Sequence, residues 1–81
     1  MSLTLNIIKD DKADHTKKLP GAVFKITQLD ENGKGSIKEG GIVNTSEATD
    51  TDGKTSFSDL GVGYYQIEET VRPTGYVMTD D

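Results

Sequence analysis

Apolar and polar positions alternate over several short stretches of this chain. Alternation predicts strands, because successive side chains of an extended backbone point to opposite faces. In Tyr64-Tyr65-Gln66-Ile67-Glu68-Glu69-Thr70 one face carries Tyr65, Ile67 and Glu69, and the other Tyr64, Gln66 and Glu68. In Leu3-Thr4-Leu5-Asn6-Ile7-Ile8-Lys9 the same parity turns Leu3, Leu5 and Ile7 inward and makes Lys9 the last member of the row. Two inward rows, one from each end of the chain, therefore close on charges of opposite sign. A carboxylate buried alone would cost several kcal/mol, so Glu69 must sit at a rim, find a partner or stay protonated. Lys9 is the partner that parity offers.

Between these rows the pattern is shorter and more broken. The polar run Asp10 to Lys18 is a solvated loop that Leu19-Pro20-Gly21 brings to an end. Ala22 to Leu29 is a second strand, with Ala22, Phe24, Ile26 and Gln28 on one face. Asp30-Glu31-Asn32-Gly33-Lys34-Gly35 carries Asn-Gly turn chemistry and predicts a hairpin. A short strand is expected over 42–49, a turn at Asp50-Thr51-Asp52-Gly53, and a strand over Lys54-Thr55-Ser56-Phe57. Ser58 to Gly63 is expected to be a glycine-punctuated loop delivering the chain to Tyr64. Tyr76-Val77-Met78 would begin the approach to a further strand, and a sheet without that strand presents an edge open to pairing with another chain. Short, closely spaced strands with no amphipathic helical window define an all-β sandwich or barrel, a single domain over 1–81.

Composition narrows the chemistry. A chain of 81 residues has a small core and is often stapled, but with no cysteine the staple is not a disulfide. One histidine without thiolates does not make a zinc site, and no cofactor is implied. The net charge of −5 argues against nucleic acid and anionic membrane as partners. No apolar run approaches the roughly 20 residues that span a bilayer, and Met1-Ser2-Leu3 does not begin a signal peptide.

Several motifs have plainer readings. Asp50-Thr51-Asp52-Gly53 resembles the start of a calcium loop, but Lys54 and Gly61 stand where that motif wants a further acid and a closing glutamate, so a β-turn is expected. His15 lies in a polar loop without a nucleophile to serve. Asn44-Thr45-Ser46 is a chance-level glycosylation sequon. Neither Leu19-Pro20-Gly21 nor Arg72-Pro73-Thr74-Gly75 completes a sorting signal for wall anchoring. Of the tyrosines, parity places Tyr65 in the core, Tyr76 is expected to plug one end of the sandwich, and Tyr64 is the aromatic able to face a partner.

Four segments carry a resemblance: Leu19 to Ile26; Thr51-Asp52-Gly53-Lys54-Thr55-Ser56-Phe57 with Leu60-Gly61; Gly63 to Thr70; and Pro73-Thr74-Gly75-Tyr76. Taken in order they resemble the B-type repeat of collagen adhesins, a domain that also builds stalks and pilins on Gram-positive cell surfaces. The resemblance implies a transthyretin-like (prealbumin-like, reversed-immunoglobulin) β-sandwich, here with its last strand lacking or cut short. It also implies an intramolecular isopeptide bond from a first-strand lysine to an asparagine or aspartate on the last strand, assisted by a glutamate. Lys9 falls at the lysine position as amine donor and Glu69 at the glutamate position as proton shuttle. An apolar surround would favour a neutral amine and a protonated acid. Asn6, Asn32 and Asn44 do not stand where the acceptor belongs, which is expected beyond Asp81; Asp80 and Asp81 come early in that pattern, though a short strand could let one serve. Such a bond forms once per molecule, so the chain is not a turnover enzyme. The expected role is an extracellular stalk module, anchored to the wall through another part of its parent and flanked by neighbouring domains. The alternatives are a module that binds a host matrix protein or glycan, and, for Lys9 and Glu69, a rim salt bridge worth about 0 to 1 kcal/mol.

Overall fold

The strand after Pro20-Gly21 is the centre of the molecule. In the computed structural model, which describes residues 2–75, five strands follow in chain order: β1 (Leu3–Ile8), β2 (Val23–Leu29), β3 (Val43–Thr45), β4 (Lys54–Leu60) and β5 (Tyr64–Val71). They form two antiparallel sheets, β1-β4 and β3-β2-β5, with no helix among the described residues. The fold is all-β as alternation predicts, and of the two forms alternation left open it is the sandwich that the resemblance implies. Ala22, Phe24 and Ile26 turn inward from β2 onto Phe57 and Leu60 of β4, and Ile7, Ile42 and Tyr65 pack around this cluster. Full burial of each large apolar side chain contributes about 1.5–3 kcal/mol.

Three segments depart from the alternation pattern, each for an identifiable reason. The strand expected over 42–49 is regular only at Val43–Thr45. Beyond it the chain stays beside β2, but hydroxyls replace part of the ladder. Phe24 N–H donates to Ser46 Oγ at 3.0 Å and Ala22 N–H to Thr49 Oγ1 at 3.0 Å, while Ser46 N–H and Thr49 N–H donate back to the carbonyls of Phe24 and Ala22. Side chains that satisfy backbone groups in this way compete with the regular ladder. The fourth strand, expected to stop at Phe57, instead runs to Leu60, because the core needs Leu60. Leu5 pairs with Phe57 and Leu3 with Leu60, so β4 carries one extra residue, taken up where Asp59 adopts a left-handed φ of 59°. This is a β-bulge, and aspartate is among the residues that tolerate that conformation. After β2, Gly33 rather than Asn32 takes positive φ, and the reversal is a longer turn closed by a single Leu29–Ile37 bridge.

Leu3 and Leu5 face the space between the sheets, as parity requires, yet remain 41% and 37% exposed. With Leu60, Tyr65 and Ile67 they line an apolar groove along the side where β1 lies over β5. The expectations for Tyr76, the strand approach at 76–78 and the acceptor role of Asp80 or Asp81 lie outside the described residues.

At the opposite end, Pro73 is buried and Thr74 N–H donates to Pro20 O at 3.0 Å, clamping the exit of β5 onto the entry to β2. Gly21, at φ 90°, is required there because a Cβ would overlap Thr74 Oγ1. Thr49 completes this region: its buried Oγ1 accepts from Ala22 N and donates to Leu19 O at 2.8 Å. Thr49→Val keeps the shape but strands both groups, so urea unfolding should show a loss of about 1–3 kcal/mol; an unchanged midpoint would mean that the hydroxyl is dispensable.

Candidate functional site

Lys9 follows directly on β1, and its backbone is held from two sides. Its N–H donates to Gly53 O at 2.7 Å, its carbonyl accepts from Leu19 N–H at 3.0 Å, and the next residue, Asp10, bridges Lys18. Gly53 is delivered by the turn at residues 50–53. Asp50 Oδ1 accepts from Asp52 N–H at 2.8 Å and Lys54 N–H at 3.0 Å, while Gly53 N–H closes onto Asp50 O at 2.9 Å. That is the plain β-turn expected from the sequence, with the Asp50 carboxylate engaged by backbone N–H groups.

Glu69 lies on β5 opposite Phe24 of β2. Immediately after it the register shifts: Val71 pairs with Val23, so Thr70 is an extra residue, and its hydroxyl donates to Val23 O at 3.3 Å. Bulges of this kind bend a strand and re-aim the side chain beside them.

The two elements bring Lys9 Nζ to 3.6 Å from Glu69 Oε1, with the side chains 35% and 25% exposed. This distance is within reach of an ion pair and too long for a good N–H···O hydrogen bond. Glu69 Oε1 itself is enclosed and has no hydrogen-bond partner among the described residues. An acceptor left in that state costs about 1–3 kcal/mol, more than a partly exposed ion pair returns. The arrangement is therefore poor as a salt bridge and well placed for a third polar group.

The remaining candidates stand elsewhere. Asn6 is on β1 and pairs with Ser56, Asn32 is in the turn after β2, and Asn44 is on β3, separated from β5 by β2. His15 is exposed, with Nδ1 3.2 Å from Asp10 Oδ1; Lys18 Nζ lies 3.8 Å from the other oxygen of that carboxylate and donates to His15 O. In the same loop Thr16 donates through its hydroxyl (2.6 Å) and its N–H (3.0 Å) to Asp14 Oδ1, holding that carboxyl below its ordinary 3.8. Tyr64 projects from the outer face of β5, 55% exposed. It pairs with Leu29, which bridges Ile37, so the three form one apolar row across that face. Tyr65 points inward and donates its hydroxyl to Gly61 O at 2.8 Å.

Strand parity paired Lys9 with Glu69, and the structure brings the two together, but the contacts of Gly53 and Thr70 beside them were not foreseen. The Asp-x-Asp-Gly turn was visible, but what it touches was not.

Two antiparallel sheets with β1 and β5 meeting at one side define the prealbumin-like class of β-sandwich. The family model for the SpaA prealbumin-like fold domain matches residues 4–81, and the chain belongs to that family. Domains of this family occur in pilin and adhesin stalks of Gram-positive surface proteins, which makes this a structural module of that general kind. Neither the curated proteins nor the solved structures gave a match.

Two outcomes follow. In the 81-residue chain Lys9→Met should change stability by less than about 1 kcal/mol, measured by chemical denaturation, because the amine is about a third exposed and too far from Glu69 Oε1 for a good hydrogen bond. The Thr16 contacts to Asp14 contribute fully above pH 3.8 and are lost as the pH falls through the lower folded-state value. Thr16→Ala should therefore move the Asp14 titration up towards 3.8, as followed by carboxyl NMR shifts.

Proposed function

We propose that this domain is a load-bearing spacer in a pilin- or adhesin-type surface protein, closed by one isopeptide bond from Lys9 Nζ to the side-chain carbonyl carbon of an asparagine or aspartate on a further strand. The observation that supports this reading is the enclosed Glu69 Oε1, without a hydrogen-bond partner among the described residues, beside the Lys9 amine. The neutral amine attacks the acceptor carbon. Glu69, as the acid, protonates the carbonyl oxygen, takes the proton shed by the amine nitrogen, passes it to the leaving group and recovers the proton on the oxygen as the amide carbonyl re-forms. An asparagine acceptor releases ammonia and an aspartate releases water, so Glu69 ends as it began. The product amide is neutral, and a weak, partly exposed ion pair gives way to a covalent link between strands. The bond forms once, without cofactor and without turnover. On this reading the domain is extracellular, its neighbours are domains of the same surface protein, and attachment to the wall belongs to another part of that protein.

A second reading is that the domain binds a host extracellular-matrix protein or glycan. The Ile37–Leu29–Tyr64 row, exposed at Ile37 and Tyr64 with Leu29 half-buried between them, favours it. On that reading Tyr64→Ser would abolish binding in a screen against matrix proteins and glycans; on the spacer reading the isolated domain is silent in such a screen.

The spacer reading is tested by intact mass on a chain carried through the next strand. One ammonia or one water should be missing from wild type, and none from Lys9→Arg or Glu69→Gln. Lys9→Arg should also lower the thermal midpoint sharply. A wild-type mass equal to that of the unmodified sequence rejects the bond.

A further inference from the structure

The turn that carries Gly53 is built against the backbone of Lys9 and against nothing that a turn by itself requires. Gly53 is buried at φ 73°, and a Cβ there would overlap the Lys9 carbonyl oxygen and press on Leu19 N and Lys18 Cβ. The Gly53 carbonyl accepts from Lys9 N–H at 2.7 Å. The contrast with the reversal after β2 is direct. Gly33 has the same φ of 73°, yet a Cβ there would meet nothing within 4 Å. Both turns need a glycine-type backbone, and only one needs the missing side chain.

Resting on the isopeptide reading above, we infer that Gly53 is a positioning residue for Lys9. Its lack of a side chain lets the 50–53 turn close onto the Lys9 peptide units, and this closure sets the 3.6 Å approach of Nζ to Glu69 Oε1. A lysine side chain has several rotatable bonds and finds a partner reproducibly only where its own backbone is fixed. Here the backbone is fixed by Gly53 on one side and Leu19 on the other, and the turn is held by the Asp50 carboxylate. Gly53 touches no reacting atom and acts through Lys9.

The test uses the 81-residue chain and needs no acceptor strand. A water-soluble carbodiimide activates the Glu69 carboxyl, and the Lys9 amine displaces the activated group as its urea, leaving an amide with the net loss of one water. Peptide mapping measures the rate of this zero-length link. Wild type should couple Lys9 to Glu69. Gly53→Ala should slow coupling at least tenfold, with the fold checked by amide exchange in β2. Gly53→Asn separates the two demands on this position, because asparagine tolerates positive φ but carries a Cβ. Coupling as slow in Gly53→Asn as in Gly53→Ala supports positioning by close contact; recovery to the wild-type rate overturns it, leaving only a turn preference. Asp50→Ala loosens the turn without adding an atom and should slow coupling less than Gly53→Asn; it serves as the reporter if Gly53→Ala does not fold, and an unslowed rate then counts against the inference. If wild type itself fails to couple Lys9 to Glu69, the isopeptide reading of the pair falls. If wild type couples and Gly53→Ala couples equally fast, that reading stands and the inference about Gly53 falls.

Discussion

Every strand of this domain is placed by what it does for the inward row Ala22, Phe24 and Ile26. β4 covers the row with Phe57 and Leu60, and β3 and β5 satisfy the two edges of β2. A core this small leaves little margin, since domain stabilities are typically only about 5–15 kcal/mol. Unsatisfied backbone beside the row would consume that margin quickly. Ser46 and Thr49 prevent this where β3 stops, by giving β2 hydroxyl partners in place of a ladder. The same Thr49 hydroxyl holds Leu19 O, and Leu19 N–H holds the Lys9 carbonyl. The path from the core to Lys9 is thus short, one hydroxyl bond and one backbone hydrogen bond long.

Lys9 and Glu69 meet because two edge strands from opposite ends of the chain lie over one another at the same side of the sandwich. As a salt bridge the pair makes little sense: the amine is about a third exposed, the distance is long, and one carboxylate oxygen is enclosed without a hydrogen-bond partner among the described residues. A stabilising pair would close to hydrogen-bond distance and satisfy that oxygen. The bulge at Thr70 and the Gly53 turn both constrain the two residues near this open geometry. A third group carrying a donor and a carbonyl would satisfy Glu69 and meet the amine at once, which is the arrangement that amide formation needs.

How much of this could be read from the sequence depends on the range of the forces involved. Strand parity is strict, so the inward rows, their terminal charges and the outward Tyr64 followed from alternation alone. The bulges did not. Thr70 and Asp59 are extra residues only relative to the strands they pair with, and register is a property of the pair. Ser46 and Thr49 resemble a weak strand continuation until their hydroxyls are seen to face β2. Leu3 and Leu5 point where alternation sends them, but alternation cannot say what covers a face, and over a third of each remains exposed. Gly53 shows the same limit at a turn: the letters give a backbone conformation, not the Lys9 carbonyl packed against it.

The position of the pair also bears on mechanics. β1 is an edge strand held to β4 by antiparallel hydrogen bonds, and its last grip on the domain is the pair of backbone bonds that Lys9 makes to Gly53 and Leu19. Each such bond is worth only about 1 kcal/mol net, and tension on an edge strand can break them one after another. On the spacer reading, a covalent bond at Lys9 acts at this last grip: chain before Lys9 can be stretched, while strain is diverted into the acceptor strand before it reaches β2. The residue that parity places at the end of the row is also the one where a cross-link would shield the core from load.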